Sequence, residues 1–158
     1  ICPTDCLEST INGAFKEENY YCSSLGNSIT FDHQMLSKTK KLIRTKNIDH
    51  ISFILSSDNS IVLDALGNQD FISIRGLNHF YTQVNWQKKQ ATLSWKAKNN
   101  PHLILSYYLN YKIKELKDGL KEPALEQLKI DGKIYHKQEN IFRNIYSEFV
   151  CTKYSILN

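Results

Sequence analysis

The chain has little of what most catalytic and membrane proteins advertise. Its 158 residues include only six glycines and three prolines. No phosphate-cradling glycine loop, nucleophile elbow, H-E-x-x-H helix or paired-carboxylate motif occurs. No run approaches the ~20 apolar residues of a membrane helix, which gives the expectation of no membrane partner. Asparagine is common, yet no Asn-X-Ser/Thr sequon appears, which favours the nucleus or cytosol over the secretory route. The five histidines, at 33, 50, 79, 102 and 136, are scattered at strand starts and turns. On these absences the chain is expected not to be an enzyme.

What is present is one domain's worth of core: 41% hydrophobic and 11% aromatic residues, enough to argue against disorder. A net charge of +4 permits polyanion binding without demanding it. Lys40, Lys41 and Arg44 lie in a basic segment. Trp86, Lys88, Trp95 and neighbouring lysines interleave aromatics with positive charge. Single-stranded nucleic acid is held by that combination, with bases stacked on rings and lysines at phosphates.

The order of elements reads as a cysteine knuckle at 1–33, barrel strands and a helix at 47–134, and a terminal helix at 137–156. "HISFILSS" followed by "SIVLDALG" reads as a hairpin. Ile74, Leu77, Tyr81 and Val84 follow at helical steps. From Leu103 to Ile113 apolar residues alternate, which reads as a long strand whose outer face carries Tyr108, Lys112 and Lys114. Ile141, Phe142, Ile145 and Phe149 form an apolar stripe on the last helix. This is a mainly β, α+β plan with flanking helices: the five-stranded OB-fold barrel with an inserted knuckle.

Cys2, Cys6 and Cys22 lie close together and Cys151 far away. Three readings of the knuckle stay open: a zinc site completed by His33, a knuckle without metal, or a disulfide from Cys2 or Cys6 to Cys22. The string CPTDC…Ile11…YYC resembles the zinc ribbon in the C-terminal OB-fold of the replication protein A large subunit and its telomere- and telomerase-associated relatives. The family's fourth ribbon cysteine falls on Leu25 here. The resemblance implies Zn2+, single-stranded DNA binding, a nuclear site of action, and docking of smaller OB-fold subunits on the terminal helix stripe. The alternative is a secreted β-domain stapled by disulfides, acting in adhesion or receptor binding.

Overall fold

A computed structural model of the chain describes residues 6–95, 100–122, 125 and 127–146. Its β-structure is a three-stranded open sheet, ordered β1-β2-β3. β1 (His50–Ser56) and β2 (Lys129–His136) are parallel, with His50 opposite Lys129 and Ser56 opposite Tyr135. β3 (Ile141–Asn144) returns antiparallel to β2. Helices carry most of the remaining described residues: α1 (Glu8–Ala14), α2 (His33–Lys46), α3 (Ser60–Leu66), α4 (Asn78–Trp95) and α5 (Pro101–Gly119). A parallel pair needs a crossover connection, and α3, α4 and α5 supply it between β1 and β2. The five-stranded OB barrel is thereby overturned in favour of an open α/β sheet.

Local chemistry accounts for the helix starts. Asp32 accepts from the Met35 N–H at 2.7 Å and opens α2. Asn59 accepts from the Ile61 and Val62 N–H groups and opens α3. Asn100 accepts from the Leu103 N–H at 3.2 Å, with Pro101 in the first turn of α5. Each is an N-cap oxygen meeting an orphan backbone donor.

The pleat of β1 divides the core in two. Phe53 and Leu55 point to the face covered by α3, α4 and α5, where they join Val62, Phe80, Leu105 and Tyr108. Ile54 points to the other face and packs with Leu7 and Ile11 around α1 and with Tyr135 of β2. A strand buried on both faces reads as a continuous apolar run, and Phe53, Ile54 and Leu55 form one. Each large side chain buried here contributes roughly 1.5–3 kcal/mol. Gly26 has φ +57°, and a Cβ there would come within 2.8 Å of the Phe80 ring. This position therefore admits only glycine without rearrangement.

Three further expectations are corrected. "SIVLDALG" is helix α3 rather than the second strand of a hairpin. Residues 103–114 belong to α5, not to a strand. Ile141 and Phe142 lie on strand β3 rather than on a helix; Ile145 follows it and is buried in the main core. Phe149 and Cys151 lie outside the described residues, as does Cys2.

Candidate functional site at the strand ends

In open α/β sheets, ligands bind in the crevice outside the carboxyl ends of parallel strands. Here β1 ends in Ser56-Ser57-Asp58 and β2 ends in His136. His102, in the first turn of α5, stacks on His136 with ring centroids 5.7 Å apart and planes 22° from parallel. The Tyr146 ring meets His102 edge-on at 5.0 Å. Ser106 ties these pieces together: its hydroxyl donates to the His102 carbonyl at 2.7 Å and accepts from the Tyr146 N–H at 3.3 Å.

The hydrogen bonds orient the polar groups. Asp58 Oδ2 accepts from the Lys137 N–H at 3.1 Å. The Ser57 hydroxyl lies 3.3 Å from Asp58 Oδ1, 3.2 Å from the Tyr135 carbonyl and 3.5 Å from His136 Nδ1. Two buried ring nitrogens, His102 Nδ1 and His136 Nε2, have no hydrogen-bond partner among the described residues. Buried polar atoms left unpaired are uncommon and often mark sites of chemistry. Burial holds the His102 pKa below its ordinary value, and the neighbouring His136 pushes it further down. His102 is therefore a neutral imidazole at pH 7.

This has a consequence for stability. A base with a lowered folded-state pKa is protonated first in the unfolded chain, so acid favours unfolding. Stability should decline as pH falls below about 6.5, the ordinary histidine value, and level off once the folded-state group also titrates. Urea denaturation at a series of pH values, compared with His102→Asn, checks this. The variant should lose part of the slope in that window.

The residues singled out in the sequence are dispersed. Cys6 and Cys22 are exposed, and His33 opens α2. Lys40 and Arg44 both pair with Glu122, Lys40 at 2.8 Å. Lys41 and Lys114 are exposed. Lys88 donates to the Ala65 carbonyl at 3.2 Å, and burial lowers its pKa. Trp86 is partly exposed on α4, whose last residue is Trp95. Tyr108 and Lys112 are fully buried. Conversely, His102 and His136 look unremarkable in sequence, because only the crossover through α4 and α5 brings them together.

No family model and no curated protein matches the sequence. Among solved structures, the fold is similar to the β-carbonic anhydrase CafA of the fungal pathogen Aspergillus fumigatus, with TM-score 0.68 and 16% identity. The match covers 92% of this chain and 73% of that one. It overturns the resemblance to replication protein A, and with it the single-stranded DNA and telomere reading. Nothing supports the adhesion alternative. The expectation of no enzyme is corrected too, since the similar fold is that of a lyase.

β-Carbonic anhydrases bind zinc, so the expected Zn2+ agrees with the fold in general terms. A catalytic zinc takes three protein ligands and one open position. The strand ends offer two unpartnered imidazole nitrogens, while Asp58 is turned towards Lys137 and Ser57. Among the described residues, no three or more His, Cys, Asp or Glu side chains are grouped to hold a metal. The donor set there does not fit zinc. What the chain shares with CafA is the arrangement of its backbone.

Proposed function

We propose that the chain is a lyase that adds water to a small carbonyl-type substrate at the carboxyl ends of β1 and β2, with carbon dioxide as the first candidate. The observation that carries this reading is the pair of buried, unpartnered imidazole nitrogens on His102 and His136, in a fold similar to a β-carbonic anhydrase.

His136 is the proton acceptor in this reading. As the oxygen of a water molecule bonds to the substrate carbon, one O–H bond breaks and its proton passes to the imidazole, then to solvent. With carbon dioxide the product is bicarbonate. Ser57 and Asp58 position the ring: the serine hydroxyl lies near Nδ1, and the carboxylate near that hydroxyl. His102, held neutral by burial, stacks on the acceptor without repelling the charge it gains.

Stopped-flow measurement of carbon dioxide hydration tests the assignment, with zinc content determined on the same sample. The parent should accelerate hydration above buffer. His136→Gln should lose about 100-fold, the lower end of what a positioned general base supplies, at unchanged zinc content and thermal midpoint. Equal rates in parent and variant would remove His136 from the chemistry. No acceleration by the parent would exclude this substrate.

A further inference from the structure

A second concave feature lies away from the strand ends. A pocket of about 850 Å³ opens between β1, α2 and the chain around residues 11–31. Its lining includes Phe15, Tyr20, Tyr21, Phe31, Met35 and Leu42. Tyr20, Tyr21 and Leu42 are also among the exposed large hydrophobics of the molecule. One wall is formed by Asp49 and the first five residues of β1, His50 to Ile54.

Among the described residues β1 pairs only with β2, which leaves its other edge open. Hydrogen bonds at both ends fix which residues face that edge. Lys129 N–H donates to the Asp49 carbonyl, and Ser57 N–H donates to the Tyr135 carbonyl. Odd-numbered residues therefore turn their backbone groups to β2. His50, Ser52 and Ile54 turn theirs to the pocket, because these directions alternate along a strand.

One of those groups is already engaged in a telling way. The buried Asn27 side-chain amide donates to the Ile54 carbonyl at 2.9 Å, from the position where a neighbouring strand's N–H would stand. No backbone hydrogen bond among the described residues reaches the N–H and carbonyl of His50 and Ser52, or the Ile54 N–H. Successive edge-facing residues lie roughly 6.6 Å apart in an extended chain. Only another extended backbone matches a row of donors and acceptors at that repeat.

We infer that the open edge of β1 is a docking site for an extended apolar peptide segment of a partner, which adds to the sheet beside β1. Its backbone meets His50, Ser52 and Ile54, and its alternate side chains fill the aromatic pocket. Strand addition of this kind takes affinity from main-chain bonds and selectivity from side-chain pockets. The segment ends at Asn27, whose amide closes that end of the row. The inference is independent of the chemistry assigned to His136.

The test uses the full chain and the peptide acetyl-KVFVYK-amide, alone and with its alternate amides N-methylated in either register. Amide hydrogen exchange should show His50, Ser52 and Ile54 exchanging faster than Ile51, Phe53 and Leu55 in the free protein. The peptide should slow all three, and one of the two methylated registers should bind about tenfold more weakly, as the loss of main-chain donors implies. Leu42→Asp should weaken the parent peptide similarly while leaving carbon dioxide hydration unchanged. Equal binding of all three peptides, or no protection at the highest soluble peptide concentration, would overturn the inference. So would protection that rises with protein concentration alone, which would make the occupant a second copy of the chain.

Discussion

Tyr108→Ala lowers stability by about 3–5 kcal/mol, the range for removing a buried aromatic ring. In a chain of this length that corresponds to a thermal midpoint roughly 10 °C lower. The ring is fully buried on α5 and meets Phe80 edge-on at 5.1 Å. Its hydroxyl donates towards the Gly26 and Asn27 carbonyls, at 2.8 and 3.1 Å. Two effects therefore add: a cavity opens in the core, and the turn at Leu25–Asn27 loses its tether. Tyr108→Phe separates them by keeping the ring and removing the donor; about 1–2 kcal/mol is expected from that part alone. Urea unfolding of both variants checks the split. Near-parental stability of Tyr108→Ala would mean that this corner is not packed as described.

The second large effect is at Lys112, whose side chain is fully buried. Its ammonium donates to the Ile29 carbonyl and to Glu115, each at 2.7 Å, and lies 5.7 Å from the centre of the Phe31 ring. Lys112→Ala strips the carbonyl of its donor, leaves Glu115 without its partner and empties the space of the stem. About 2–4 kcal/mol should be lost. Glu115 is part-exposed and stays solvated, which keeps the figure below that of a fully buried broken pair. Lys112→Met refills the space without charge and should recover about half. Equal loss in both variants would show that the hydrogen bonds, and not the packing of the stem, hold residues 29–31 against α5.

These two residues also show where the sequence was legible and where it was not. Between Leu103 and Ile113, alternation and helical spacing both fit, because nearly every side chain from Leu103 to Leu109 is buried. A helix surrounded by protein loses its polar stripe, and period alone then cannot separate it from a strand. Length and capping could have done so. The run is long for a strand, and Asn100-Pro101 is a helix-start signal. The strand at ISFIL was legible because Ile51, Phe53 and Leu55 alternate with Ser52 and Ser56 before the turn chemistry of Asp58-Asn59. The hairpin after it was not, since Asn59 caps a helix with the same residue types that make turns. Of the candidate site, Asp58 follows the strand as turn chemistry and signals nothing more in the sequence. His102 and His136 carried no local signal, being neighbours through topology alone.

The parallel pairing of β1 with β2 has a consequence during synthesis. Ser52 and its partner Asp131 are separated by 79 residues in the chain. At 5–20 residues per second, ISFIL leaves the ribosome roughly 4–16 s before the strand that completes its pairing. For that interval a five-residue apolar stretch with two bare edges is in the cell without its partner. α3, α4 and α5 emerge in between and can cover one face, but not the edges. The nascent chain is therefore a natural client for chaperones that hold extended apolar segments, and its yield on expression should depend on them more than its finished stability would suggest.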